Sequence, residues 1–310
     1  QVIAETLDAI RTRGPLASAD FETPPAAKRA SPWDWYGPKE SRIALDVLWM
    51  MGNLMIHSRR GGQKLYDLRE RVLAEAFREA IPSDDALPSG AEALRYFTLR
   101  TIRALGVVAP AWLWDYFRLG QRYHQISLDG EAHPKRLGRV ASAQATLDRL
   151  AREGAVIPAA VEGISGPVYV APERLPDLER VRAGQPPTRT TLLSPFDNLI
   201  WDRARARTLF GYEVCFEAYV VPAKRRYGYY CLAILHQGRL VGRLDPKMNR
   251  QQRRLIVRAL YLEPDVTPDD TLLTRLADAL HELARWLGAH TIAIERSEPE
   301  ALAARLGKLL

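Results

Sequence analysis

The spacing of apolar residues in the first quarter of the chain predicts helices followed by a hairpin. Helical spacing or helix-boundary residues mark three segments: Ile3–Ile10, Ser18–Phe21 and Lys39–Met55. Gly14-Pro15 ends the first helix, and Gly61-Gly62 lies between two short β-prone runs, which indicates a hairpin. Three helices and a hairpin are the order of a winged helix, a helix-turn-helix variant. We therefore predict a winged-helix domain over residues 1–88.

The same order of elements recurs roughly 90 residues further along the chain, which indicates an internal repeat. The predicted helices of this second copy are Ala91–Leu105, Ala109–Leu119 and Ser142–Arg152. Val156-Ile157 and Val168–Val170 flank a glycine-containing turn and predict a second wing. We therefore predict a second winged-helix domain over residues 89–184.

The pattern changes to short β-prone runs after the linker Gly184–Pro187. The predicted strands are Tyr212–Val221, Tyr227–His236, Leu240–Leu244, Leu255–Leu262 and Thr291–Ile294. A helix is predicted over Asp269–Leu287. The predicted fold class is therefore α+β: tandem winged-helix domains, followed by a β-rich, barrel-like domain over residues 188–310.

Composition and charge narrow the class of partner. Hydrophobic residues make up 47% of the 310-residue chain and charged residues 26%, as in globular proteins. No apolar run approaches the roughly 20 residues that cross a bilayer, so we expect no membrane association. The net charge is +7, yet Pro222–Arg258 alone carries +9 from ten basic residues against Asp245. This concentration of cations predicts a nucleic-acid partner.

The sequence offers few residues that could act as a nucleophile or hold a metal ion. The two cysteines, Cys215 and Cys231, form neither a disulfide framework nor a zinc motif, and they fit a reducing, cytoplasmic compartment. The six histidines do not recur at ligand spacing. We expect no metal and no cofactor.

The run Lys224–Tyr230 is the strongest local indication of nucleic-acid binding, because cations neutralise phosphates and tyrosines offer ring faces to bases. In a strand, Arg225, Tyr227 and Tyr229 would share one face. The alternative for Lys224–Tyr230 is an edge strand whose charges prevent aggregation. The alternative for the cations near Gly61 is an exposed hairpin, and that for Lys135 and Arg136 is a solvated loop. The candidate nucleic-acid contacts are Arg59, Arg60, Lys64, Lys135, Arg136, Lys224, Arg225, Arg226, Tyr227, Arg243, Lys247 and Arg250.

Asp197 and Asp202 are the only catalytic candidates, since two aspartates near a proline turn could position a water or a metal. A structural interpretation competes with this one and is favoured. Asp197 would cap a helix that ends at Gly211, and Phe196 would pack on Trp201 as a hydrophobic staple.

Five motifs are similar to those of a known family: Gly14–Phe21, Ser194–Asp197, Trp201–Arg203, Lys224–Tyr229 and Gly238–Lys247. They resemble the AlkZ-like winged-helix DNA glycosylases over nearly all of the chain. The resemblance implies tandem winged helices and a β-rich domain around a concavity that fits DNA. It also implies excision of alkylated purines or unhooking of interstrand crosslinks by hydrolysis of the N-glycosidic bond. The implied partner is damaged double-stranded DNA, bound by a monomer in the cytoplasm at the nucleoid.

The family's catalytic motif is a tripeptide of Gln, an apolar residue, and then Gln or Asp. This motif has no match in the chain, and the most similar tripeptide is Gln125-Ile126-Ser127. We therefore expect residues 1–88 and 89–184 to be the second and third winged helices of the family, with the water-activating residues upstream of Gln1. A non-catalytic DNA-binding protein or regulator stays as the alternative. A metal-dependent nuclease that uses Asp197, Asp202 and Asp245 is a third hypothesis.

Overall fold

The protein forms two compact units, Gln1–Leu87 and Pro88–Leu310. The structure is a computed structural model, and it describes residues 1–21, 40–74, 77, 86–121, 127–130 and 137–310. Both units mix helices with sheets, so the predicted α+β class is confirmed.

The first unit consists of short helices packed on a hairpin. Its elements are α1 (Val2–Arg13), a 3-10 turn (Ser18–Asp20), α2 (Glu40–Met50), β1 (Leu54–Arg60), β2 (Gln63–Leu68) and α3 (Arg69–Val72). The apolar positions that predicted the helices form the core: Ile10, Leu16, Leu45, Leu48, Leu54 and Tyr66. Leu16 and Tyr66 exchange backbone hydrogen bonds of 3.0 and 2.8 Å, which attaches the end of α1 to the hairpin.

The hairpin β1–β2 is antiparallel, as predicted, and places Arg59 opposite Lys64 and Arg60 opposite Gln63. Gly61 and Gly62 form its two-residue turn with φ of 54° and 82°. Two positive φ angles in succession are what a type I′ turn requires, and glycine adopts them without steric cost.

The second unit begins with helices around a small sheet. Its first elements are α4 (Gly90–Leu105), β3 (Val107–Val108), α5 (Arg139–Arg152), β4 (Ile157–Ala159), β5 (Val168–Val170) and α6 (Leu175–Arg182). Ser89 and Glu92 form a capping box at the start of α4, and Gly106 follows its last residue at φ 76°. The three strands form an antiparallel sheet in the order β3-β5-β4.

Residues 188–310 form an open six-stranded sheet with helices against it. The elements are β6 (Thr190–Leu193), α7 (Arg203–Phe210), β7 (Leu232–His236), β8 (Arg239–Asn249), β9 (Arg254–Leu262), α8 (Asp270–Leu287), β10 (Thr291–Ile294), β11 (Ser297–Glu298) and α9 (Ala301–Gly307). The strand order is β10-β9-β8-β7-β6, and β11 also pairs with β9. The end strands β6 and β10 are not paired with each other within this fully described region, so the predicted barrel is corrected to an open sheet.

Helix α8 covers one face of this sheet. Leu272, Leu276 and Leu280 recur at helical spacing and are buried in one cluster with Leu244 and Leu260 of the sheet. Asp269 caps the N-terminus by accepting a 2.7 Å hydrogen bond from the Leu272 N–H. The helix ends at Gly288 in the left-handed conformation, at φ 72°.

Three predicted elements differ from the structure. Residues 109–119 contain a 3-10 turn, Pro110–Trp112, instead of a second full helix. Strand β7 begins at Leu232, and residues 211–231 form no strand, although two were predicted there. Aromatic and β-branched residues give this stretch a strand-like composition, but its backbone is held by side chains, as shown below.

Candidate nucleic-acid interface

The run Lys224–Tyr230, which we name the basic segment, is an irregular loop that starts in the 3-10 turn Pro222–Lys224. It is not the alternating strand that its sequence predicted. Four of its backbone N–H groups are satisfied by carboxylates from elsewhere in the second unit, and this arrangement replaces a strand ladder.

Glu217 organises the middle of the basic segment. Its carboxylate accepts backbone hydrogen bonds from Arg226, Tyr227 and Gly228 at 2.8, 2.8 and 3.2 Å. Partial burial alone would raise the pKa of Glu217, but the three N–H donors and the nearby Arg225 guanidinium lower it below the ordinary value. The carboxylate is therefore ionised at neutral pH, and it shapes the loop as a nest of backbone N–H groups around an anion.

Asp245 fixes the end of the segment. It lies in β8 next to the irregularity in pairing at Pro246, where a strand tolerates proline. Its carboxylate is buried and accepts a 3.3 Å hydrogen bond from the Tyr230 N–H. A Cβ at Gly228 would lie only 2.5 Å from Asp245 Oδ2, so glycine is required for this close approach.

The cations of the segment differ in their freedom. Arg225 donates from Nε to the Val220 carbonyl at 2.8 Å, and its guanidinium carbon lies 5.0 Å from the centre of the Tyr229 ring. Arg226 is exposed, and its contact with the exposed Glu213 is loose, at 3.8 Å. Lys224 is exposed and has no ion pair within the part of the chain that the structure describes. Exposed, weakly paired cations are available to neutralise phosphates.

Arg243 occupies a different position from the other candidates. Its side chain is only 3% exposed and forms a 2.7 Å ion pair with Glu263. It also donates to the Glu213 carbonyl at 2.8 Å. Its guanidinium carbon lies 4.5 and 4.3 Å from the ring centres of Tyr212 and Tyr227. A buried and paired guanidinium cannot reach a phosphate, so we correct its role from DNA contact to support of the Tyr227 ring.

Two further candidates lie at the far end of β8. Lys247 is exposed on the strand, and Arg250 is exposed in the turn before β9. Arg250, Arg253 and Arg285 line a shallow depression of about 550 Å³ at the C-terminal end of α8. Arg253 donates to Nε2 of His290 at 3.2 Å. The depression concentrates positive charge, and Arg285 joins it from a helix that sequence analysis did not connect with binding.

In the first unit, the three candidate cations lie at the tip of the hairpin. Arg59 donates to the Gly62 carbonyl at 3.4 Å, and Arg60 forms an exposed ion pair with Asp20 at 2.6 Å. The Lys64 ammonium lies 4.3 Å from the centre of the Trp49 ring. Exposed pairs of this kind contribute little to stability, so these side chains are accessible to an anionic partner. Lys135 and Arg136 lie outside the described residues.

The aspartates proposed as catalytic candidates have local partners. Asp202, and not Asp197, caps helix α7, by accepting a 3.0 Å hydrogen bond from the Arg205 N–H. Asp197 accepts a 2.9 Å hydrogen bond from the Leu199 N–H within its turn. Gly211 ends the helix in the left-handed conformation, as predicted. The predicted staple is wrong, because Phe196 is exposed and packs on Phe216 and Tyr230 instead of Trp201.

The remaining expectations concern metals, thiols and membranes. Over the described ranges, no group of three or more His, Cys, Asp or Glu side chains could hold a metal ion. Burial raises the pKa of the Cys231 thiol to about 12. Among the helices that the structure describes, none is long and apolar enough to cross a membrane.

The sequence profile of the family described as "DNA glycosylase AlkZ-like" matches residues 1–286 of the chain. The chain belongs to the AlkZ-like DNA glycosylase family. The match includes the hairpin, the basic segment, Lys247 and Arg250, and it ends within α8.

A solved structure, the Streptomyces sahachiroi DNA glycosylase AlkZ, is similar to this chain with a TM-score of 0.48 and 18% sequence identity. The similarity covers 82% of this chain and 57% of that chain. The AlkZ-like chain described here thus spans less than two thirds of the length of the solved protein.

Sequence analysis missed the residues that support the interface. Glu217 lies seven residues before Lys224 in the chain, and nothing in its spacing indicates three backbone contacts. Arg205 was missed as well, although it is 2% exposed. It donates to the Leu199 and Leu105 carbonyls at 3.1 and 2.6 Å and lies over the Trp112 ring. Desolvation by burial lowers its pKa, and the residue joins α7 to the end of α4.

Proposed function

We propose that the protein is a DNA repair glycosylase that acts on alkylated or crosslinked purine nucleotides, and that this chain supplies mainly DNA binding. The observation that carries the proposal is the family match over residues 1–286. The proposed partner is damaged double-stranded DNA, bound by a monomer at the nucleoid.

The reaction would be hydrolysis of the N-glycosidic bond. A purine alkylated at N7 is positively charged and is therefore a good leaving group that needs little help from a general acid. Water attacks C1′ and releases one proton to the solvent. The bond from C1′ to N9 breaks, the alkylated purine leaves as a neutral base with the bonding electron pair, and an abasic site is left. Cations placed along the phosphates hold the duplex while the charge on the sugar develops. No metal or cofactor is part of the proposal.

The element order supports two winged helices as the frame for this binding. In residues 1–88, α1 is followed by the bridge at Leu16, then by α2 and the hairpin β1–β2. In residues 89–184, α4 is followed by β3, then by α5 and the hairpin β4–β5. The repeated order of helix, short β-segment, helix and hairpin fits the winged-helix family, whose wings contact the DNA backbone.

The proposed DNA contacts are the accessible candidates. They are the exposed Arg59, Arg60, Lys224, Arg226, Lys247 and Arg250, together with the half-buried Lys64, Arg225 and Tyr227. Arg243 is not included, because its guanidinium is buried and paired with Glu263. Phosphate contacts of this kind depend strongly on salt, since each one releases a condensed counterion.

A binding and excision experiment tests the proposal. The full chain is titrated onto duplex DNA with and without N7-methylguanine, and abasic sites are counted after incubation with EDTA present. We expect a Kd that rises steeply with salt. The variant Lys224→Ala with Arg226→Ala should reduce the slope of log K against log salt by about 2.

The matched control is Arg174→Ala with Arg180→Ala, which removes the same charge from two exposed arginines that pair with Asp177. It should leave the slope nearly unchanged. Failure of the full chain to bind either duplex would contradict the proposal.

A non-catalytic DNA-binding protein or regulator is the second candidate function. The sequence contains no Gln-apolar-Gln or Gln-apolar-Asp tripeptide, and this observation favours it. Salt-dependent binding with equal affinity for the two duplexes in the same experiment would support this candidate over the glycosylase.

A further inference from the structure

Four aromatic rings gather beside the basic segment and leave part of their surface open. We name Phe196, Phe216, Tyr219 and Tyr230 the aromatic cluster. Phe216 lies at its centre, with its ring centre 5.0 Å from Phe196, 5.9 Å from Tyr219 and 5.7 Å from Tyr230. Phe196 is 63% exposed and Tyr219 94% exposed. Large exposed aromatic side chains in a group indicate a binding surface.

Hydrogen bonds hold Tyr230 in place, and ring contacts group the other members of the cluster around Phe216. The Ser194 and Tyr230 hydroxyls are hydrogen-bonded at 2.8 Å, and the Tyr230 N–H donates to the buried Asp245. The three ring pairs around Phe216 are edge-to-face, an arrangement that aromatic pairs favour. Rings held by their neighbours lose little conformational entropy when a ligand stacks on them.

Cations adjoin the cluster through contacts with residues that are next to its members in the chain. Arg225 lies over Tyr229, the neighbour of Tyr230 in the chain, and donates to the carbonyl of Val220, the neighbour of Tyr219. Exposed Lys224 and Arg226 flank Arg225 in sequence. An occupant of this surface should therefore combine a flat, apolar face with a negative charge.

A nucleotide has this combination, but only when its base is unpaired. In a duplex, each base face is covered by its neighbours, and only base edges are open in the grooves. An unpaired base exposes its π-face, and aromatic side chains bind such bases by stacking while cations hold the backbone. We infer that the aromatic cluster binds an unpaired nucleotide of the DNA, with the base on Phe196 and Tyr219 and the phosphate at the cations of the basic segment.

This inference rests on the proposed function, because it assumes that the chain binds DNA. It adds a contact to DNA whose pairing is disturbed, as at a bulge or beside a bulky lesion, and assigns no role in bond cleavage. The prediction is a preference for DNA with an unpaired base over DNA that is equally flexible but lacks that base.

Three duplexes of identical length test the inference by fluorescence anisotropy. The first is fully paired, the second has one bulged adenine, and the third has one bulged abasic nucleotide. The full chain should bind the adenine bulge about 10-fold more tightly than the abasic bulge, as expected for one stacked base. Phe196→Ala with Tyr219→Ala should reduce this ratio of affinities to about 1. The same variant should bind the paired duplex with an affinity within about 2-fold of that of the unmodified chain.

Tyr219→Ala alone provides a second variant, since a side chain that is 94% exposed is dispensable for folding. It should reduce the ratio by at least half. The control is Trp286→Ala, which removes an 81% exposed aromatic side chain of α8 that is not in the cluster. It should leave the ratio unchanged.

Equal affinities of the unmodified chain for the two bulged duplexes would overturn the inference while the proposed function stands. Absence of binding to all three duplexes would instead contradict the proposed function itself. A third outcome combines equal affinities for the two bulged duplexes with self-association of the chain in sedimentation that Tyr219→Ala abolishes. This outcome would also overturn the inference, and it would assign the cluster to a contact between two copies of the chain.

Discussion

The hairpin Leu54–Leu68 and the basic segment both expose several cations, but different interactions hold them in place. The hairpin is maintained by its own strand pairing and a two-glycine turn. The basic segment has no strand partner and is maintained by the carboxylates of Glu217 and Asp245. A hairpin can keep its shape when a surface charge changes, whereas the basic segment depends on buried or half-buried charges in other parts of the second unit.

The comparison has a consequence for binding. In the hairpin, the cations are side chains on a regular frame, so removal of one should leave the others in position. In the basic segment, the Tyr227 ring contacts both the buried Arg243 and the exposed Arg226. A change at the buried arginine should therefore shift the tyrosine ring and, with it, the exposed cation. Substitutions of the residues that support the basic segment should therefore affect stability and DNA affinity together, and those in the hairpin should separate the two.

The largest effect is expected for Arg243→Ala. The change removes a buried ion pair with Glu263 and leaves a cavity beside Tyr212 and Tyr227. We expect the free energy of unfolding to fall by about 2 to 4 kcal/mol, measured by urea denaturation. Arg60→Ala in the hairpin is the control, because its ion pair is exposed, and it should cost less than about 0.5 kcal/mol. A loss below about 1 kcal/mol for Arg243→Ala would show that this arginine does not support the loop.

A smaller effect, with a defined pH dependence, is expected for Glu217→Gln. The amide accepts the three backbone N–H groups less strongly than the carboxylate, and we expect a loss of about 1 to 2 kcal/mol at pH 7. The folded-state pKa of Glu217 is lowered, so its stabilisation is fully present above the unfolded pKa of about 4.3 and is lost as the pH falls through the folded value. The two proteins should therefore converge in stability as the pH falls through the lowered folded-state pKa of Glu217.

Urea denaturation of both proteins between pH 3 and 7 provides the measurement, and Glu213→Gln is the matched control. The Glu213 side chain is exposed, and its one ion pair among the residues that the structure describes is the loose contact with Arg226, so its substitution should change neither stability nor pH dependence. A constant difference between Glu217→Gln and the unmodified chain at all pH values would mean that the carboxylate charge does not hold the segment.

These differences also explain how far the sequence could predict the fold. The hairpin, α4, α5, α8 and β10 follow from local information, namely apolar spacing, caps and glycine positions. The stretch 211–231 does not, since its tyrosines and valines have strand-like composition while Glu217 and Asp245 supply the hydrogen bonds from a distance. The same reasoning applies to Asp197 and Asp202. Both are suited to capping a helix by residue type, and the structure has Asp202 as the cap.

The candidate interface was predictable where chemistry follows from residue type and exposure. The cations of the hairpin tip and the basic segment were identified because basic residues are rarely buried. Arg243 was assigned to DNA because it belongs to the same charged stretch, and its burial beside Glu263 and two tyrosine rings depends on tertiary contacts. The aromatic cluster was missed because Phe196 and Phe216 are separated by twenty residues in the chain and by their apolar character resembled core residues.

The smallest effect is expected for Gly62→Ala in the hairpin turn. Gly62 has φ of 82°, and, apart from its own neighbours in the chain, no atom of the described residues lies within 4 Å of the position that a Cβ would occupy. The cost is therefore purely conformational, and we expect about 1 kcal/mol, since a residue with a Cβ is strained at positive φ. Hydrogen exchange at the β1–β2 amides should become faster, while the amides of β7–β9 should exchange at their original rates. Because the turn is set by local conformation alone, the affinity of the second unit's basic segment for phosphate should not change. Faster hydrogen exchange in β7–β9 would show that the stability of the hairpin is not independent of the second unit.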